Sequence, residues 1–250
     1  MKSSSKSIHA VFFDLDDTLC RASDAWQLAE QETFDKFLLP RPGLTELDTR
    51  RVWETVHQDL FEQLDSGLIT MAEVRDARFR LTLKQLGVGD LTLADELNLF
   101  LSTRRLTHMK PMDHVLEVLA KLGSRYHLGI ITNGAADLHA DSQYTLAKHL
   151  QLLPLIKTFV ASDTIGFRKP DIRIFRHALN AAGAKPWQAA FIGDSLSKDI
   201  NGANRAGMTS ILFTPTKAHP RVFAPYEEPD HIIHCISELP DLLGQINRIT

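Results

Sequence analysis

The chain has 250 residues, 44% of them apolar and 24% charged, with a formal net charge of −3. That balance excludes disordered and fibrous classes and gives no basic field for nucleic acid or an anionic membrane surface. No apolar run approaches the roughly 18 residues of a membrane-spanning helix, and the length suits one large domain or a main domain with a smaller insert.

The first element in chain order is Ile8-His9-Ala10-Val11-Phe12-Phe13, an apolar run that ends in Asp14-Leu15-Asp16-Asp17-Thr18. Such a run reads as a buried parallel strand that delivers carboxylates at its C-terminal end. From about 22 to 108 the text becomes helical. Trp26, Ala29, Thr33, Phe34 and Phe37 share one helical face, and Pro40-Arg41-Pro42-Gly43 ends that segment. Val52, Val56, Leu60 and Leu64 mark a second helix. Thr70-Met71-Ala72-Glu73 is a capping box for a third, closed by Gly87, and 92–106 makes a fourth.

After Pro111 strands and helices alternate. A helix with Val115, Leu116, Leu119 and Leu122 on one face is stopped by Gly123. There follow a strand at 127–132, a helix at 138–150 and a strand at 158–162. A helix at 172–182 presents Phe175, Ala178, Leu179 and Ala182; then come a strand at 189–193, a helix at 199–206 and a strand at 209–213. Residues 218–229 read as a proline-spaced loop, and 231–236 as an edge strand. The alternation predicts an α/β fold: a Rossmann-like parallel sheet with helices on both faces, plus an inserted all-helical domain. The expected division is 1–21 with 109–250 for the core and 22–108 for the insert.

Four motifs each follow a predicted strand: Asp14 to Thr18; Ile131-Thr132-Asn133-Gly134; Gly166-Phe167-Arg168-Lys169-Pro170; and Gly193-Asp194-Ser195-Leu196-Ser197-Lys198-Asp199. In a parallel sheet all four meet at one end, where ligands collect. Asp14, Asp16, Asp194 and Asp199 would then face a single cation, Lys169. Two carboxylates 5–6 Å apart repel by roughly 3 kcal/mol at an effective dielectric near 20. A divalent cation balances them, and hard oxygens without His or Cys favour Mg²⁺. Each motif has a plainer reading as well. Asp17 with Thr18, and Asp194 with Asp199, can cap helices; Thr132-Asn133-Gly134 can be a turn; Lys169 can be a solvated loop lysine. All four plain readings together require several independent coincidences.

The four motifs, in this order over about residues 8–214, resemble the haloacid dehalogenase-like superfamily. Ser162-Asp163-Thr164-Ile165-Gly166, Asp171, Ile174-Phe175 and the run from Asp199 through Ala203 to Ala206-Gly207-Met208 are similar to it too. The resemblance implies that Asp14 attacks phosphorus and forms an aspartyl-phosphate. Asp16 would protonate the leaving oxygen and then activate water. Its backbone carbonyl would ligate Mg²⁺ with Asp14 and Asp194. Thr132 and the amides around Asn133 would hold phosphoryl oxygens, and Lys169 would steady the charge. Asp199 would stand behind the metal and orient Lys169. The dehalogenases of the superfamily lack an acid two residues after the nucleophile, so Asp16 implies phosphoester chemistry.

The 22–108 insert has the position of the helical cap of one subclass, with hinges near 20–23 and 107–111, and a closing cap favours small phosphorylated metabolites. Trp26, Arg75, Arg78, Arg104 and Arg105 are candidates for substrate contacts, and most of these arginines read as solvated helix surface. The expected activity is Mg²⁺-dependent hydrolysis of a nucleotide monophosphate or sugar phosphate. A phosphomutase or a non-catalytic phosphate-binding module are the alternatives, and dehalogenation is a more distant one. No nucleic-acid or membrane partner is expected. Residues 1–7 lack the apolar stretch of a signal peptide, and Cys20 and Cys235 have no metal-ligand spacing. A cytoplasmic protein is therefore expected, with no disulfide, Cys20 packing as a small residue or lying as a thiol near the site.

Overall fold

A computed structural model describes residues 7–216 and 224–249, the side chain of Ile249 excepted. The first part of the loop predicted at 218–229 lies outside the described residues. The chain divides into two compact units. One comprises Met1–Ala22, Lys110–Asp137 and Gln143–Thr250; the other comprises Ser23–Met109 and Leu138–Ser142.

The first unit is built on strand β1 (Ala10–Phe13), whose four residues are all buried. The chain enters the helical unit and returns through helix α5 (Val115–Gly123), counting the four helices of the other unit as α1 to α4. It continues through β2 (His127–Thr132), α6 (Gln143–His149), β3 (Thr158–Ala161), α7 (Ser162–Ile165) and α8 (Ile172–Ala182). Then follow β4 (Ala189–Gly193), α9 (Asn201–Ala206), β5 (Thr209–Phe213), β6 (His231–Ile233) and α10 (Leu239–Ile249). The six strands form one sheet in the order β3-β2-β1-β4-β5-β6. Every pairing is parallel.

Side chains alternate across a strand, so β1 feeds two cores. Ala10 and Phe12 join Ile131, Val160, Phe191 and the apolar faces of α8 and α9. Val11 and Phe13 point the other way and are equally sealed, while α5 packs on β2 and against α10. The strand order reverses at β1, with β2 and β3 on one side and β4 to β6 on the other. Such a switch leaves a crevice at the carboxyl ends of the strands. Phe13 is level with Ile130 of β2 and Ile192 of β4, so the residues just beyond these positions emerge at the same edge.

The second unit holds α1 (Ala22–Phe37), α2 (Glu46–Asp65), α3 (Met71–Gln85) and α4 (Leu93–His108), α1 starting one residue earlier, in the first unit. Phe34, Trp53, Phe79, Leu83, Leu97 and Leu101 form its core, with a satellite of Val56, Leu60, Leu64 and Val74. The capping box at α3 is present: Thr70 Oγ1 accepts from Glu73 N, and Thr70 N donates to Glu73 Oε2 at 2.7 Å. Two sequence expectations are corrected here. The helix expected at 138–150 covers only Gln143–His149, because 138–142 leaves the sheet and joins the helical unit. There Asp141 is buried under arginines, which leaves its stretch no freedom to extend α6. Those arginines are the second correction. Arg75, Arg78 and Arg105 are buried, not solvated: Arg75 Nε lies 2.8 Å and Arg78 Nη2 3.3 Å from the Asp141 carboxylate, and Arg105 Nη1 donates to its carbonyl at 3.1 Å. Arg104 instead pairs with Glu32.

Candidate active site

Asp14 immediately follows β1, and its N–H donates to Ile192 O at 2.8 Å, continuing the ladder to β4. The strand thus fixes where the carboxylate leaves the sheet. Next to it Asp17 takes a left-handed backbone, φ 56°, a conformation that short polar side chains tolerate better than most. Thr18 Oγ1 reaches back toward Asp194 Oδ1 at 3.4 Å.

Lys169 is 4% exposed, and its ammonium lies between two acids, 2.5 Å from Asp14 Oδ1 and 2.7 Å from Asp199 Oδ1. Its position is set by Asn133, at the end of β2. Lys169 N donates to Asn133 Oδ1 at 2.7 Å, and Asn133 Nδ2 donates to Lys169 O at 3.0 Å. The Lys169–Pro170 peptide is cis. Asp199 belongs to a wide π-type turn, Leu196–Ile200, that leads into α9, where a plain helix from 199 was expected. Its second oxygen accepts from Ser195 N at 3.0 Å. A Cβ on Gly193 would stand 2.4 Å from Asp199 Cγ, so only glycine lets this carboxylate settle against the end of β4.

Oxygen atoms of Asp14, Asp194 and Asp199 all lie within 4.8 Å of one another. Burial pushes the Asp14 carboxyl well above the usual range; Lys169 opposes that shift, and Asp199 and Asp194 reinforce it. Asp194 is exposed, and its carboxyl is pushed up to about 7 by local desolvation at the strand ends and then by repulsion from Asp199 and Asp17. For Lys169 burial acts to lower its basicity, but Asp14 and Asp199 outweigh it and hold the ammonium charged. One buried cation among three acids leaves negative charge that favours either protons or a cation. The donor set is all hard oxygen, which fits Mg²⁺. One Asp199 oxygen accepts from Ser195 N and the other is ion-paired with Lys169, so Asp14 and Asp194 are the pair better placed to meet a metal.

The remaining expected site residues emerge at the same edge. Thr132 is the buried last residue of β2. The next amide but one, Gly134 N, donates to Ser162 Oγ at 2.9 Å, which takes it out of the donors that loop can offer a ligand and leaves Thr132 and Asn133 N among them. Asp16 Oδ2 accepts from Gln143 Nε2 at 2.8 Å. Sequence reasoning missed Gln143 and Ser162 as contributors, since a single Gln or Ser at a helix start carries no chemical pattern.

A family model described as haloacid dehalogenase-like hydrolase matches residues 11–213. The chain belongs to that family. The glyceraldehyde 3-phosphate phosphatase of Methanothermobacter thermautotrophicus is 28% identical over 206 residues, 82% of this chain and 85% of its own. The HAD-hydrolase YfnB of Bacillus subtilis, solved bound to magnesium, superposes with a TM-score of 0.73 at 27% identity, over 95% of this chain and 99% of its own. A 2-haloacid dehalogenase from Pseudomonas syringae pv. Tomato gives a TM-score of 0.73 at 28% identity, over 95% and 99%. Curated relatives from archaea and mouse carry phosphatase names, and this chain is an enzyme of that kind. Among its described residues no helix is long and apolar enough to cross a membrane.

Proposed function

We propose that the chain is a Mg²⁺-dependent phosphomonoesterase acting on a small phosphorylated metabolite, a sugar phosphate or nucleotide monophosphate, through a phosphoryl group carried on Asp14. The observation that carries this reading is Lys169 lying between Asp14 and Asp199, with Asp194 in the same cluster. Asp14 has one oxygen held by the ammonium, which orients the other for attack. Lys169 stays charged through the reaction and offsets negative charge on the transferred group. Thr132 and the Asn133 amide hold phosphoryl oxygens, and Asp16 gives a proton to the departing oxygen and later takes one from water. Asp14, Asp194 and the Asp16 carbonyl would hold Mg²⁺, with Asp199 orienting Lys169 behind them. Bound there, the ion supplies positive charge against the phosphoryl oxygens.

In this reading the helical unit is the cap of the subclass that inserts one between the first and second motifs. A cytoplasmic location is part of the proposal, in keeping with a small-metabolite substrate and with Cys20 and Cys235 forming no disulfide. The test is phosphate release from a panel of phosphorylated metabolites, with Mg²⁺ and with chelator, for wild type and Asp14→Asn. Release that needs both the metal and Asp14 supports the reading; release that survives chelation or the substitution overturns it. Likeness to a 2-haloacid dehalogenase justifies one further arm, halide release from a 2-haloacid, for which Asp16 makes no release the expected result.

A further inference from the structure

Gln143 is the first residue of α6, 6% exposed, and its side chain turns back to the acid that follows the nucleophile. Its Nε2 donates to Asp16 Oδ2 at 2.8 Å. Three features hold the amide there. Gln143 N donates to Ala135 O at 2.9 Å, which closes the loop after β2 and anchors the backbone. Gly134 supplies the space: a Cβ at that position would stand 2.6 Å from Gln143 Cγ. The amide orientation is dictated by the carboxylate, since the reverse orientation would set two acceptor oxygens against each other. Gln143 Oε1 is left buried without a hydrogen-bond partner among the described residues. A buried, half-satisfied amide persists only where its other half is strongly engaged.

We propose that Gln143 is a positioning residue for the proton transfer to the leaving group. The inference rests on the reading of Asp16 as general acid. With Nε2–H on Oδ2, that oxygen is an acceptor, and the transferable proton is confined to Oδ1, whose neighbour Cys20 Sγ, at 3.9 Å, is only a weak donor. In the first half-reaction a bond forms between an Asp14 oxygen and phosphorus. The bond from phosphorus to the ester oxygen breaks with its electron pair on that oxygen, which takes the proton from Asp16 Oδ1. Gln143 keeps its own protons throughout; it fixes which carboxyl oxygen carries the proton and holds the rotamer of the acid.

The experiment compares kcat/KM, which reports steps up to departure of the leaving group, on two phosphomonoesters. One is p-nitrophenyl phosphate, whose leaving group needs no proton; the other is the best alkyl phosphate of the metabolite panel. Wild type, Gln143→Leu, the similarly long Gln143→Met and Asp16→Asn are measured with Mg²⁺, with far-ultraviolet circular dichroism as the check on folding. General acid catalysis is worth about 10²- to 10⁴-fold, and its misplacement should forfeit about ten-fold or more. Both Gln143 variants should therefore lose about ten-fold on the alkyl phosphate and about two-fold or less on p-nitrophenyl phosphate. Asp16→Asn should show the same selectivity, larger. Equal losses on both esters in the Gln143 variants, with selectivity intact in Asp16→Asn, would overturn the positioning role alone. No selectivity in Asp16→Asn would overturn the general-acid reading and the proposal with it. If Gln143→Leu does not fold, Gln143→Met, which keeps the length of the side chain and removes the donor, decides the matter.

Discussion

Asn133 and Lys169, 36 residues apart, exchange two hydrogen bonds: the asparagine oxygen accepts from the lysine N–H, and the asparagine amide donates to the lysine carbonyl. The lysine backbone is thereby tied to the end of β2, and its ammonium comes to rest between Asp14 and Asp199. Asn133→Ala removes both bonds and leaves two partly buried backbone groups unpaired, a cost of about 1–3 kcal/mol. We expect a lower denaturation midpoint and a drop of about ten-fold or more in kcat/KM, because Lys169 loses its anchor. Asn133→Asp, which keeps one acceptor and loses the donor, should fall between. Unchanged kinetics in a destabilised Asn133→Ala would show that the pair serves stability alone.

Asp14→Asn should stay folded and lose roughly three orders of magnitude in kcat, since it removes the carboxylate that Lys169 holds directly after β1. Intact-protein mass spectrometry of wild type, quenched in acid during turnover, should show a phosphoryl adduct that Asp14→Asn lacks. An adduct in the variant would place the nucleophile elsewhere.

Asp194 is exposed, yet desolvation of its carboxylate among the acids Asp199 and Asp17, and their repulsion, push its pKa up to about 7. A protonated carboxyl cannot serve a metal, so Mg²⁺ and the proton compete. Above pH 7 the affinity should level off, and below it the apparent dissociation constant should rise by up to about ten-fold per pH unit. The metal-free protein has the opposite trend from this group. Its folded pKa lies above the unfolded value, so the contribution to stability grows as pH falls from about 7 toward about 4. The stabilisation conferred by Mg²⁺ should consequently shrink on acidification, which thermal melts with and without the ion at pH 8 and 6 will measure.

His57 lies against Trp53, ring centroids 3.9 Å apart, with Nε2 buried and no hydrogen-bond partner among the described residues. Burial, helped by Arg78, pushes its pKa down to about 3. Below pH 6.5 the unfolded chain takes up a proton that the folded one refuses, so stability is lost as pH falls through that range, by at most about 1.4 kcal/mol per unit. His57→Phe should remove this component. Urea unfolding at pH 7 and pH 5 should show the variant losing about 1–2 kcal/mol less than wild type between the two.

Asp141 is the carboxylate on which Arg75 and Arg78 meet, with Ser102 Oγ at 3.2 Å and His139 Nδ1 at 2.8 Å. Burial alone would raise its pKa, but the His139 hydrogen bond and the two guanidiniums hold it well below the usual range. Asp141→Ala strands buried positive charge and should cost about 3–5 kcal/mol in urea unfolding. Arg78→Met, which removes a cation whose own pKa burial lowers to about 10, should cost less. Equal or negligible costs would show that the cluster is solvated in solution.

The strand-and-acid pattern at 8–18 was legible because both of its signals are local. Four buried residues in a row have only one common use in a parallel sheet, and carboxylates just past the last of them must emerge at its end. The same logic located the helices of the second unit, down to the Thr70 cap. The 138–150 segment failed because helical periodicity says nothing about a competing partner. Asp141 is drawn to arginines 63 and 66 residues earlier in the chain, and α6 starts only after it. The arginines were misjudged for the same reason, as charge on a helix reads as surface unless its partner is known.

The sequence by itself determined the sheet, its helices and the four motifs, because strand burial, caps and strand-end acids are set by neighbours a few positions apart. Only the tertiary structure decided which atoms meet: Lys169 between Asp14 and Asp199, Asn133 on the lysine backbone, Gln143 on Asp16. Those contacts join residues 30 to 155 positions apart. A hydrogen bond or ion pair depends on position to a fraction of an ångström, which spacing along a chain does not encode.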